Sequence, residues 1–154
     1  IISLLASVVL ASLNSARAKA RDARRMSDFR QIQTALELYA SSNNGSYPAA
    51  GSSNCNGQSG DAWCRDSQGT NWIPGLGTYI GGGSVPQNIT PYGGAGWVYH
   101  YYSPSANQYW LMTKMENNSA YTCNGTGGTR PIWFDNASDT CTWWGDGLYV
   151  RSVK

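Results

Sequence analysis

Hydrophobic and polar positions divide this chain after its first forty residues. Residues 1–13 are apolar nearly all round, through Ile1, Ile2, Leu4, Leu5, Val8, Val9, Leu10 and Leu13, as in a helix surrounded by lipid or by other helices. From Arg17 onward charge enters, and the apolar residues retreat to one stripe, Met26, Phe29, Ile32, Leu36 and Tyr39, at steps of three and four. Such a stripe suits packing against a globular partner. Neither Pro nor Gly occurs before Gly45, so the pattern predicts one long helix over residues 1–44. Its first half, 1–16, suits lipid or a helix bundle, and its second half, 17–44, is amphipathic. The turn formers Ser41–Gly45 predict the C-terminal end.

Residues 45–154 form the predicted head. Strand patterns occur at Trp97–Tyr102 and Gln108–Met115, and more weakly at Ser119–Cys123 and Ile132–Phe134. The short interval Ser103–Asn107, with Pro104, predicts a hairpin loop. Residues 49–71 lack periodicity and read as a disulfide-stapled loop, and 74–96 as a second irregular stretch. The expected fold class is α+β, with the stripe Phe29, Ile32, Leu36 and Tyr39 laid across one face of an antiparallel sheet. Of the 19 aromatic residues, 17 follow residue 40, and rings let a small sheet bury much area.

Charged residues make up 13% of the chain and the net charge is +2, which by itself points to no partner. The distribution is more informative: Arg17, Lys19, Arg21, Arg24, Arg25 and Arg30 stand against Asp22, Asp28 and Glu37 in the helix, just after its apolar end. That apolar run is shorter than the roughly 20 residues a membrane span needs. Cys55, Cys64, Cys123 and Cys141 all lie in the head, and their spacing matches neither a zinc ribbon nor a thioredoxin-like pair. An even count in a Gly-, Ser- and Asn-rich domain favours two disulfides. Three connectivities are open, and Cys55–Cys64 with Cys123–Cys141 is preferred because each closes a local loop.

The run IISLLASVVLASLNSARAKARDARRMSDFRQIQTALELYASSNNGSYP resembles the N-terminal helix of bacterial type IV pilins and type II secretion pseudopilins, entered partway along. QYWLMTKMEN, followed by a cysteine, is a looser match to later pilin strands. The resemblance implies a lollipop-shaped subunit, held first in the cytoplasmic membrane by the lower half of its helix and then moved by the pilus assembly machinery into a filament core. It also implies a leader cut by a prepilin peptidase and a Glu close after the cut. Neither the cleavage motif nor that Glu stands at the start of this sequence, so a short apolar head before Ile1 is expected.

Several residues invite chemical readings. Six cations between Arg17 and Arg30 are enough to engage DNA phosphates. The simpler reading is a positive cluster beside anionic headgroups, later paired with acids of neighbouring subunits, with Asp22 and Asp28 in local pairs with Arg25 and Arg24. Asp135, Asn136, Asp139 and Asp146 offer oxygen ligands for the calcium site that the resemblance to major pseudopilins implies, but without EF-hand spacing. Solvated loop carboxylates are the plainer account, and no cofactor is expected. His100 is a lone imidazole between two tyrosines, and no nucleophile or paired-carboxylate arrangement points to an enzyme. Trp133, Trp143 and Trp144 suit either core or a surface-binding patch. Asn44, Asn88, Asn117, Asn124 and Asn136 each open an Asn-x-Ser/Thr acceptor triplet for glycosylation.

Together these expectations describe a non-catalytic structural subunit that polymerises with identical copies into a cell-surface filament serving adhesion, motility or DNA uptake. Leu4, Leu5, Val8, Val9 and Leu13 are the expected filament-core contacts. The alternatives are a type II secretion pseudopilin and a DNA-binding uptake pilin.

Overall fold

The computed structural model describes residues 2–51, 55, 63–88, 98–114, 116 and 147–153, with backbone alone for 2–8, 11, 68, 114 and 147–153. One helix, α1 (Ile2–Ser42), runs for 41 residues, or about 60 Å at 1.5 Å per residue. It stops where the sequence supplies left-handed conformers, at Asn44 (φ 54°) and Gly45 (φ 80°). The N–H groups of Asn43 and Gly45 both donate to the Ala40 carbonyl, at 3.1 and 2.8 Å, and so satisfy an end that would otherwise be orphaned.

Among the described residues four antiparallel strands follow in sheet order β1-β2-β3-β4: β1 (Cys64–Arg65), β2 (His100–Ser105), β3 (Gln108–Lys114) and β4 (Gly147–Val153). The predicted first long strand begins at His100 rather than Trp97, and it continues through Pro104 to Ser105. A register irregularity between Tyr102 and Ser105 accommodates the proline, which cannot donate to the ladder. The hairpin turn is therefore only Ala106–Asn107. Two strands were not expected: the two-residue β1, and β4, which pairs with β3 along its whole length. The weaker strand expectations at 119–123 and 132–134 lie outside the described residues.

The helix stripe and the sheet share one core. Phe29, Ile32, Leu36 and Ala40 are buried with Cys64, Tyr101, Tyr109 and Leu111, and Tyr39 packs at the margin. Ring edges organise the contact, Phe29 meeting Tyr99 at 5.1 Å and Tyr47 meeting Tyr109 at 4.7 Å, both T-shaped. The buried Tyr101 hydroxyl donates to the Pro48 carbonyl at 2.6 Å.

The segment between β1 and β2 carries part of this core too, which its lack of periodicity concealed. Two 3-10 turns, Asp66–Gln68 and Leu76–Tyr79, set Trp72, Ile73, Leu76, Ile80 and Val85 into it. The Trp72 indole donates to the Pro86 carbonyl at 3.0 Å. At Gly77 a Cβ would lie 2.7 Å from the Gly83 carbonyl oxygen and 2.9 Å from Asn71 Oδ1, so the two legs of this loop touch through glycine.

Candidate assembly interface

The helix changes character at Asp22. Before it, Val9, Leu10 and Leu13 stand 63%, 60% and 42% exposed, and Ser12–Ala20 are exposed apart from the half-buried Ala18. From Asp22 on, Asp22, Arg25, Phe29, Ile32, Ala35, Leu36 and Ala40 are buried at steps of one to four residues. The second half of α1 is thus wedded to the head, while Val9, Leu10 and Leu13 present large apolar side chains to solvent. Water contact there is unfavourable by roughly 25 cal/mol per Å² of apolar surface, so cover by lipid or by another helix is favoured.

A charged cluster marks the junction. Arg25 and Asp22 are each 1% exposed and joined by Nη1 to Oδ1 at 2.6 Å. Glu116, just beyond β3, accepts from Arg25 Nη2 and from Arg21 Nε, each at 2.8 Å, and from Arg21 Nη2 as well. Its backbone N–H donates to Asp22 Oδ1 at 3.0 Å. The Arg21 guanidinium, aided by Arg25, holds the Glu116 carboxyl below the usual carboxylate range against the opposing effect of burial. Helix and sheet are therefore fixed to one another by ions as well as by the aromatic core.

Two tyrosines add further ties from the head: the Tyr99 hydroxyl donates to Asp28 Oδ2 at 2.8 Å, and the Tyr47 hydroxyl to Glu37 Oε1 at 2.9 Å. Burial, and then the Asp28 carboxylate, push the Tyr99 phenol far above its ordinary value, so it remains a donor. Asp66 sits 3% exposed in the first 3-10 turn, accepting from the Asn88 N–H at 2.6 Å. Burial raises its pKa to about 6.

The expected local pairs occur: Asp22 binds Arg25, and Arg24 Nε approaches Asp28 Oδ2 at 3.9 Å. Of the six cations between Arg17 and Arg30, Arg21 and Arg25 are engaged by Glu116 and Asp22, and Arg24 lies near Asp28, all within the same chain. Glu116, Tyr99 and Tyr47 were not singled out in the sequence, since only the fold brings them to the helix.

Val9 and Leu13 of the expected filament-core set are exposed, and the side chains of Leu4, Leu5 and Val8 lie outside the described residues. Cys55 and Cys64 are bonded, with Cα atoms 5.2 Å apart, while Cys123 and Cys141 lie outside the described residues. So do Trp133, Trp143 and Trp144, and Asp135, Asn136, Asp139 and Asp146. Among the described residues no group of three His, Cys, Asp or Glu is placed to hold a metal ion. Asn44 is exposed and Asn88 half-buried, whereas Asn117, Asn124 and Asn136 fall outside the description. His100 is buried, 6.2 Å edge-on from Trp63. Among the described residues no helix is long and apolar enough to cross a membrane.

No family model, curated protein or solved structure matches this chain.

Proposed function

We propose that this protein is a structural subunit of a type IV pilus-like filament. In this reading the first half of α1 is the assembly element, the head is the outer wall, and the chain does no catalysis. One observation carries it: Val9, Leu10 and Leu13 stand exposed on the same rigid helix whose other half is locked into the head. Apolar side chains that the subunit leaves uncovered are covered when copies stack helix against helix. Contacts of this head-to-tail kind propagate into a fibre when the rotation between copies does not close a ring. The α+β layout, with an apolar stripe of a long N-terminal helix packed on an antiparallel sheet, and the dense resemblance of residues 1–48 to pilin helices support the same reading.

Electron microscopy of native surface material with helical reconstruction tests it. Long fibres with α1 at their centre are the expected result, and Val9→Asp should abolish them while the head stays folded. Short envelope-bound assemblies would shift the assignment to a secretion pseudopilin. Normal fibres from Val9→Asp would remove the helix from the assembly contact.

A further inference from the structure

The left-handed end of α1 is also a reactive dipeptide. Asn44 is followed by Gly45, and without a Cβ on the glycine the backbone nitrogen of residue 45 meets no side chain on its way to the Asn44 amide carbon. Asn56–Gly57 and Asn124–Gly125 repeat the pair but lie outside the described residues. Attack by the deprotonated Gly45 nitrogen on Asn44 Cγ forms a new N–C bond and breaks the bond to Nδ2, which leaves as ammonia. Water then opens the cyclic imide. Cleavage at its side-chain carbonyl leaves aspartate, and cleavage at its main-chain carbonyl leaves isoaspartate, with one extra carbon in the backbone.

The fold opposes the first step at Asn44. Its side chain is exposed, so water and departing ammonia pass freely. The Gly45 N–H, however, donates to the Ala40 carbonyl at 2.8 Å, so the nucleophile is occupied in the bond that closes the helix. Its neighbours hold it there: Asn43 Nδ2 donates to the Tyr39 carbonyl at 2.8 Å, the Ser46 N–H to the Asn43 carbonyl at 3.0 Å, and the Tyr47 N–H to the Ala106 carbonyl of the hairpin turn at 2.7 Å. We infer that Asn44 is a deamidation site gated by this cap: the amide survives while the helix end is closed and is lost in proportion to the time the end stands open. The product works against reclosure. A carboxylate at residue 44 faces the negative end of the helix dipole, and no basic side chain lies in the last turn to offset it. The extra backbone carbon of isoaspartate shifts Gly45 away from Ala40 and lengthens the path to the Tyr47–Ala106 bond. The inference is independent of the filament reading, since it concerns the helix end of a single subunit.

Mass-spectrometric peptide mapping of the full chain, kept in mildly alkaline buffer with or without guanidinium chloride, tests this. Unfolded, all three Asn–Gly pairs should deamidate at comparable rates, with Asn56 and Asn124 as references within the same sample. In the native chain Asn44 should react at least about tenfold more slowly, the effect of one retained hydrogen bond. Amide hydrogen exchange at Gly45 should be slowed by a similar factor, because both reactions wait for the same opening. The purified isoaspartate product should melt below Asn44→Asp, which carries the charge without the longer backbone. Equal rates at Asn44 in the native and the unfolded chain overturn the inference. So does slow deamidation beside unprotected exchange at Gly45, which would place the restraint outside the cap. An Asn44 that stays intact in the unfolded chain while Asn56 and Asn124 react overturns it too.

Discussion

Asp66 and Glu116 are carboxylates that the fold pushes in opposite directions. Asp66 is raised from 3.8 to about 6 by burial, against the backbone N–H groups that favour its charged form, whereas Glu116 is lowered by two arginines. A group that binds its proton more tightly when folded contributes most below its unfolded pKa, and that contribution is lost as pH rises through the folded value. Asp66 thus costs nothing near pH 3 and up to about 3 kcal/mol above pH 6, at about 1.4 kcal/mol per unit. Asp66→Asn keeps an acceptor for the Asn88 N–H without the charge. It should stabilise the protein by about 2 kcal/mol at pH 7 and leave it unchanged near pH 3, as read by urea unfolding at both values. An offset independent of pH would mean the charge is not the cause. Glu116 runs the other way, its contribution being present above the ordinary carboxylate value and lost on acidification. Arg25 is the sharpest case, because its removal strands Asp22, which is 1% exposed. Arg25→Met should cost about 3–5 kcal/mol, and adding Asp22→Leu and Glu116→Leu should recover most of it, since an apolar replacement of a whole buried ion group is often neutral. A triple variant no better than Arg25→Met would show that the ions specify the junction beyond satisfying each other.

At the scale of elements, packing without periodicity decides much of the head. The loop between Asp66 and Asn88 holds five core residues, and its two legs meet at Gly77. Gly77→Ala sets a methyl against the backbone carbonyl of Gly83 and should cost about 1–3 kcal/mol, the range for overpacking a filled site. A calorimetric melting point unchanged by this variant would show that the loop yields freely. The same loop shows what a sequence can reveal. The helix was legible because Phe29, Ile32 and Leu36 recur at helical steps, and its end because Asn44 and Gly45 favour positive φ. The hairpin was legible from two aromatic runs around Pro104 and Asn107. Trp72, Ile73, Leu76 and Val85 recur at no fixed step, so no pattern marked them as core. β1 escaped because two residues carry no pattern, and β4 because its partner β3 lies some thirty residues upstream. Of the candidate site, the exposed apolar end and the Asp22–Arg25 pair were legible from local spacing. Glu116 and Tyr99 were not, because they approach α1 from positions 91 and 71 residues away along the chain.

For the whole molecule, the proposed function assigns stability and assembly to different lengths of one helix. The helix core residues begin at Asp22, and the ions that hold them involve nothing before Arg21, so Val9–Ala20 contributes little to the head's own stability. Isolated short helices are marginal in water, and this length should keep its form chiefly as an extension of the anchored half. Deletion of the residues before Ala16 separates the two roles. The shortened chain should melt within a degree or two of the full one by near-ultraviolet circular dichroism, whose aromatic signal comes largely from the head. In sedimentation it should be monomeric at concentrations where the full chain associates. A large fall in melting temperature would place these residues in the fold itself, and association undiminished by their loss would move the contact between copies onto the head. The expected result makes the junction at Asp22, Arg25 and Glu116 the hinge of the design, because a filament built on the exposed length stays rigid only if that length leaves the head in one fixed direction.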